Sequence, residues 1–301
     1  MQKTLISIIG STGIGKTKLA IEMAKHIGTE IISCDSRQFF KEMKIGTATP
    51  TDEELAQAKH HFIGHLSVQD YYSIGQYEED ALEKIEEIFE KNDFAVLVGG
   101  SMMYEKAVVE GLNDLPEANA ENQKNLQKIL DEEGLEKLQE ILKNLDEEYY
   151  NVVHKENPRR LLRAIDVIWQ TGRKYSEIIA EPKHKRDFKV IRIGITAPRE
   201  IMYERINLRV DKMLEKGLID EVKSLTKYQN LVPLQTVGYT EIFKYLEGTW
   251  DLDFAVEEIK KNSRRYAKRQ ETWNRKVENV TWLPYDYSEE QLHEILSKIE
   301  K

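Results

Sequence analysis

Gly10-Ser11-Thr12-Gly13-Ile14-Gly15-Lys16-Thr17 follows the apolar run Leu5-Ile6-Ser7-Ile8-Ile9 and opens a helical pattern from Lys18 to His26. The octapeptide reads G-x-x-x-x-G-K-T, and strand–loop–helix is the context a phosphate-binding P-loop requires. Leu19, Ile21 and Met23 supply the apolar positions of the helix. The glycines let backbone N–H groups converge on phosphate oxygens where side chains would obstruct them. The helix N-terminus adds a partial positive charge of roughly half a unit. Lys16 supplies a full charge, and the Thr17 hydroxyl can reach Mg²⁺. A phosphate site is therefore expected at Gly10, Ser11, Thr12, Gly13, Ile14, Gly15, Lys16 and Thr17, with Mg²⁺ at Thr17. The motif leaves open which phosphate compound binds and whether its phosphate is transferred, hydrolysed or discarded.

Outward from this loop, 301 residues suffice for one large or two modest domains, and 40% hydrophobic with 32% charged residues fits a globular chain. The single cysteine, Cys34, excludes a disulfide framework and a cysteine zinc site. No targeting segment is legible and no apolar run approaches a membrane span, so a cytoplasmic location without membrane contact is expected. A net charge of −9 argues against a generic nucleic-acid binder, but not against one with basic groups concentrated on one face.

Ile31-Ile32-Ser33-Cys34 reads as a second buried strand ending at Asp35. Ligands of parallel α/β sheets bind at the carboxyl ends of the strands. Asp35 is thus either a group that accepts a proton or holds Mg²⁺ through water, or a helix N-cap. His60-His61, read on a helix, diverge by about 100° and make a poor metal pair. A helix is expected over 77–90. Phe94-Ala95-Val96-Leu97-Val98 is the third buried strand, and Gly99-Gly100-Ser101 places a hydroxyl at its end, for the site or for a helix cap. A helix over 102–110 follows.

From Leu115-Pro116 the character changes. Helices are expected over 121–133, 135–142, 146–153, 158–171 and 175–179, with breaks at Gly134, Asn157-Pro158 and Gly172. This predicts an α/β core over 1–115 and 188–301, with an all-helical insertion over 116–187. Lys189 to Ile195 returns to a strand. A helix from Arg199 carries Arg205 and Arg209, four apart on one face. Lys260 to Lys276 holds eight basic residues and one acid, Glu271, either a solvated helix face or a basic surface.

Together these words resemble the bacterial tRNA dimethylallyltransferases (tRNA isopentenyltransferases, the IPP transferase family), from about Lys3 to Trp282. The carriers are the P-loop, Ile31-Ile32-Ser33-Cys34-Asp35-Ser36-Arg37-Gln38, Ile45-Gly46-Thr47-Ala48-Thr49-Pro50-Thr51, His60-His61, Tyr72–Tyr77, Val98–Ser101, Arg159–Ala164, Val237-Gly238-Tyr239 and Tyr266–Trp273. The chain departs from the family at Ser11, Ser101, Met102, Met103, Asn157-Pro158 and Asn274. The resemblance implies a P-loop NTPase-like parallel sheet flanked by helices, with the helical insertion contacting tRNA. It implies transfer of a dimethylallyl group from dimethylallyl diphosphate to N6 of an adenosine beside the tRNA anticodon, by a monomer. Asp35 would take the proton, Ser101 would orient the base, and an arginine, Arg205 or Arg209, would close over the diphosphate. Contacts to the tRNA anticodon arm would come from Asp35, Ser36, Arg37, Gln38, Ser101, Gln123, Arg159, Arg160, Leu161, Leu162, Arg163, Lys268 and Arg269. Competing readings are a P-loop kinase of a small metabolite, an isopentenyltransferase of free adenine nucleotides, and a non-catalytic tRNA-binding or GTPase-like switch, the last without a convincing Asn-Lys-x-Asp word.

Overall fold

The computed structural model describes residues 2–299, in two compact units. One takes the chain up to Val109 and resumes at Arg186; the other is Glu110–Lys185.

The first unit is built on a parallel sheet. Its elements begin with β1 (Thr4–Gly10), α1 (Lys16–Ile27), β2 (Ile31–Ser33), α2 (Asp52–Leu55), β3 (His60–His61), α3 (Ile74–Phe89), β4 (Phe94–Val98) and α4 (Met102–Glu110). The second unit holds α5 (Ala120–Glu133), α6 (Leu135–Leu145), α7 (Glu147–Val152), α8 (Pro158–Thr171) and α9 (Tyr175–Ala180). The first unit resumes with β5 (Lys189–Thr196), α10 (Arg199–Glu215), α11 (Leu218–Ser224), α12 (Tyr239–Leu246), α13 (Leu252–Asn274), β6 (Val280–Pro284) and α14 (Glu289–Ile299).

The strand order is β3-β2-β4-β1-β5-β6, with every pairing parallel. All seven residues of β1 are buried, as a central strand covered on both faces demands. Side chains alternate between the faces. Leu5, Ala95 and Leu97 enter one core layer with α3, α11 and α12, whereas Ile6, Ile8, Val96 and Val98 enter the other with α1 and α14. Registers Ile8↔Val98 and Ser33↔Val98 bring the carboxyl ends of β1, β2 and β4 to one rim. The P-loop, Asp35 and Gly99-Gly100 leave the sheet together there.

Two expectations need correction. His60-His61 are a two-residue edge strand beside β2, not part of a helix. His60 Nδ1 meets the Ala58 carbonyl at 2.8 Å and His61 Nε2 meets Glu30 at 2.6 Å, so neighbouring hydrogen bonds fix each ring separately. Secondly, α14 goes beyond the elements read from the sequence. Leu292, Ile295, Leu296 and Ile299 have helical spacing and cover the α1 face of the sheet.

In the second unit, Leu126, Leu138, Leu142, Leu161, Ala164 and Ile165 form the core. Asp166 is wholly buried and accepts hydrogen bonds from Asn122 (3.0 Å), Gln170 (3.0 Å) and Arg163 (3.2 Å). Asp146, also buried, caps α7 through the Tyr149 amide at 3.0 Å and holds Ser176 on α9. These carboxylates tie the helices at points where apolar contact alone would leave polar backbone unpaired.

Candidate active site

The P-loop turns into α1 through Gly13 and Gly15, both in the left-handed region (φ 74° and 115°), where a side chain would be strained. Lys16 folds back over the loop and donates to the Ser11 carbonyl at 2.9 Å. Burial pushes the Lys16 ammonium down to about 8; Asp35 counteracts this and Arg209 adds to it.

A cavity of about 980 Å³ opens over this loop, lined by Thr12, Gly13, Gly15, Lys16 and Thr17 together with Asp35, Gln38, Gly99, Gly100, Arg205 and Arg209. Gly10, Ser11 and Ile14, expected in the same phosphate site, instead line a smaller cavity of about 310 Å³ with Asn274 and Trp282. Ile14 is a core side chain, and a side-chain carbon on Gly10 would lie 2.9 Å from the Ile195 carbonyl. These three shape the loop from behind.

Asp35 does two things. Its Oδ1 accepts the Arg37 amide at 3.2 Å, the local turn that favours Asp at this point. Its Oδ2 lies beside Gly100: a side-chain carbon there would sit 3.1 Å from it. Gly99 is tighter still, since a side-chain carbon would come within 2.4 Å of the Cys34 backbone. Glycine at both positions lets the turn after β4 approach the turn after β2.

Ser36, Arg37 and Ser101 stand behind the lining. The Ser101 hydroxyl accepts the Ser36 amide at 3.0 Å and meets the Ser36 hydroxyl at 2.9 Å. These two bonds tie Ser101 to the Asp35-Ser36 turn, so its hydroxyl supports that turn. The Arg37 guanidinium donates to the Pro233 carbonyl at 3.1 Å. Gln38 faces the cavity and donates to the Thr47 and Ala48 carbonyls.

Arg205 and Arg209 both line the cavity and differ in what they hold. Arg205 is exposed and donates to the Gly13 carbonyl in the P-loop at 2.9 Å. Arg209 is half-buried and donates to the Thr47 carbonyl at 2.9 Å, and burial lowers its pKa. The loop bearing Thr47 is fixed from below by Glu221, a residue no motif singles out. Glu221 accepts from the Ile45 amide (2.7 Å), the Gly46 amide (2.9 Å) and the Tyr239 hydroxyl (2.7 Å). A side-chain carbon on Gly46 would meet the Tyr239 ring at 2.5 Å. The words Ile45-Gly46-Thr47 and Val237-Gly238-Tyr239 thus form one interlocked unit. Burial, reinforced by Glu221, raises the Tyr239 pKa far above its usual value.

The basic stretch of α13 divides into two parts. Lys260 pairs with Asp211 at 2.8 Å, Lys261 with Glu258, and Arg264 donates to Asn207 at 2.7 Å. The acids missing from the stretch itself are supplied by α10 and by the preceding turn. Lys268 and Arg269 are exposed, as are Arg265, Arg275 and Lys276. Gln270 between them is buried and faces the site, a direction that its place in a charged run conceals.

In the second unit, Arg159 and Arg160 are exposed on α8, and Gln123 is exposed on α5. Two expectations change there. Leu161 is fully buried in that unit's core, and Leu162 packs against it. Arg163 is held by Asp166 and by the Pro116 carbonyl at 2.5 Å, so its charge is engaged within the chain.

A metal ion at Thr17 has to be shared with a ligand. Among the described residues no group of three His, Cys, Asp or Glu side chains could hold one alone. The Thr17 hydroxyl beside Lys16 fits Mg²⁺ arriving with phosphate oxygens, since Mg²⁺ keeps several waters and needs few protein ligands.

This architecture, a P-loop opposed by a carboxylate at the rim of a parallel sheet, defines a P-loop-type α/β enzyme core. The sequence model described as IPP transferase matches residues 38–277, so the chain belongs to the IPP transferase family. It is 49% identical over 300 residues to a tRNA dimethylallyltransferase of Christiangramia forsetii, covering 99% of both chains. Among solved structures it is similar to a tRNA isopentenylpyrophosphate transferase from Bacillus halodurans (TM-score 0.73, 35% identity, 100% of this chain and 96% of that one). It is also similar to a eukaryotic dimethylallyltransferase acting on tRNA (TM-score 0.83, 25% identity, 99% of this chain and 77% of that one). No helix among the described residues is long and apolar enough to cross a membrane.

Proposed function

We propose that this chain is a tRNA dimethylallyltransferase: it transfers a dimethylallyl group from dimethylallyl diphosphate to N6 of the adenosine on the 3′ side of the tRNA anticodon and releases diphosphate. The observation that carries this reading is one cavity in which the P-loop, two arginines and Asp35 converge. A kinase needs the loop to present a phosphate for attack. Here the diphosphate would be the leaving group.

In the reaction the bond between the allylic carbon and the diphosphate oxygen breaks, and a bond from N6 to that carbon forms. Lys16 and the amides of the loop attract the charge that grows on the departing oxygen. Arg205 and Arg209, beside the loop, would draw the same charge. The N6 amine is a weak nucleophile, its lone pair delocalised into the purine, so it must lose a proton as it attacks. Asp35 accepts that proton through Oδ2, the oxygen beside Gly100. Ser101 and Ser36 hold the turn that aims it. The target base leaves its stack to enter. Thr17 would hold Mg²⁺ together with the diphosphate, and the ion would supply positive charge to the leaving group there. Arg159, Arg160, Lys268 and Arg269 are the exposed cations that would contact tRNA phosphates. Every group needed is present in one copy of the chain, consistent with a monomer.

The test is incubation with radiolabelled dimethylallyl diphosphate and, in parallel, unmodified tRNA, AMP or no acceptor. Label appearing in tRNA alone is the expected result. Label in AMP, or tight ATP binding with no transfer, overturns the reading.

A further inference from the structure

We propose that Gln270 is a positioning residue for this transfer, an amide clamp that sets the separation between the P-loop and Asp35. The proposal rests on the transferase reading above.

Gln270 projects from α13 and is 1% exposed. Its Oε1 accepts the Thr12 amide of the P-loop at 2.8 Å. Its Nε2 donates to the Gly100 carbonyl at 2.7 Å. The two bonds are opposite in kind, so each fixes the same orientation of the amide: flipped, Nε2 would face an N–H and Oε1 a carbonyl. Thr12 and Gly100 sit on glycine-rich loops after β1 and β4, neighbours in the sheet. One side chain therefore ties together the two loops that carry the opposing halves of the site. Tyr266, one helical turn earlier, donates to the same Gly100 carbonyl at 2.9 Å and occupies its second lone pair.

The clamp also adjoins the proposed proton acceptor. A side-chain carbon on Gly100 would lie 3.1 Å from Asp35 Oδ2 and 3.2 Å from Gln270 Nε2. Carboxylate and amide thus border the same space that the missing Gly100 side chain leaves open. The amide suits this place because it is neutral and both gives and accepts. A glutamate there has the same shape, but when ionised it cannot donate to Gly100 and it adds a second negative charge beside Asp35. When protonated it can make both bonds. Misplacing reacting groups by about 1 Å costs on the order of 10²-fold in rate, so loosening this clamp should appear in turnover rather than in donor affinity.

The experiment compares Gln270→Ala and Gln270→Glu with wild type, using radiolabelled dimethylallyl diphosphate and tRNA from about pH 8 down to about 5.5. Thermal unfolding of each protein at each pH corrects for any unfolded fraction. Gln270→Ala is expected to lose about 10- to 100-fold in kcat with the donor KM little changed, at a ratio to wild type that does not vary with pH. Gln270→Glu is expected to be as poor at high pH and to recover by about tenfold relative to wild type as pH falls, because the introduced carboxyl then carries the missing donor. Dividing by the wild-type rate removes the pH effects that the two proteins share. A pH-independent Gln270→Glu ratio, or wild-type kcat in Gln270→Ala, overturns the proposal. So does a loss that tracks only the unfolded fraction. Should Gln270→Ala fail to fold, the isosteric Gln270→Glu series decides by itself. A wild-type protein that transfers nothing overturns the functional reading, and this proposal with it.

Discussion

The Lys16 ammonium donates to the Ser11 carbonyl at 2.9 Å, within its own P-loop. A lysine waiting in this way is preorganised, but it is also partly stripped of water, and burial brings its pKa to about 8.

A pH dependence follows. The charged form of Lys16 is lost as pH rises through about 8, so affinity for inorganic diphosphate should fall between neutral pH and pH 9. Bound diphosphate favours the ammonium, so binding near pH 8 should take up a proton. Calorimetry in buffers of different ionisation heat reads both, with Lys16→Met as the control for the ligand's own titration. The stability sign is the reverse: a lysine whose pKa is lowered by folding destabilises the folded state wherever it is charged in both states, up to about pH 8. Lys16→Met should therefore raise the melting temperature of the unliganded protein at neutral pH while weakening diphosphate binding. An unchanged or lower melting temperature would contradict the burial argument.

Asp35→Ala should slow single-turnover transfer by roughly 10²–10⁴-fold, the range for loss of a general base, and leave diphosphate affinity within a few-fold. A near wild-type single-turnover rate removes Asp35 from proton transfer.

The Glu221 staple should be worth more than its surroundings suggest. Glu221→Ala leaves the Ile45 and Gly46 amides and the Tyr239 hydroxyl without their acceptor, at a cost of about 1–3 kcal/mol for each buried group left unpaired. Tyr239→Phe removes a single hydrogen bond and should cost about 1 kcal/mol. Gly46→Ala meets the Tyr239 ring head-on and should be the most damaging of the three. Chemical denaturation ranks them; equal stabilities would mean that the loop does not depend on the staple.

An acidic protein that grips tRNA through exposed cations has a salt signature. Arg160→Ala and Arg269→Ala should each reduce the slope of log K for tRNA against log salt by about 0.7–0.9, the value of one phosphate contact. Arg163→Ala should behave differently: it leaves the Asp166 carboxylate, buried in the helical unit, with one partner fewer, and should lower stability by about 1–3 kcal/mol with a smaller change in salt slope. Unchanged slopes in the first two variants would remove these arginines from the tRNA surface.

The parts of the molecule written in local signals were the parts legible in the sequence. The helix Pro158–Thr171 is readable at both ends because proline suits its first position and Gly172 closes it in the left-handed region. The P-loop is readable because its conformation depends on glycines within eight residues. What escapes notice depends on distant partners. The strand His60–His61 exists because it pairs with Ile31-Ile32, and two residues carry no periodicity of their own. Glu221 sits among acids on a short helix, and only the folded chain shows two amides converging on it. Gln270 lies in a run of charges whose exposed members dominate any reading of composition. The sequence also treats the loop as eight equivalent positions, whereas folding turns Gly10, Ser11 and Ile14 away from the main cavity.

The parallel sheet sets a schedule for synthesis. Strand β1 is among the first segments to leave the ribosome, yet its neighbour β5 starts only at Lys189, and β6 and α14 come later. Until then a strand buried along its whole length has one flank without a partner. The helical unit between them is one continuous segment, Glu110–Lys185, so every contact within it becomes available as soon as that segment has emerged. The nascent chain thus carries a part able to fold early between two halves of a core that must wait. A delay in translation between residues 110 and 189 prolongs the exposure of β1, β2 and β4, and places there the greatest demand on chaperones.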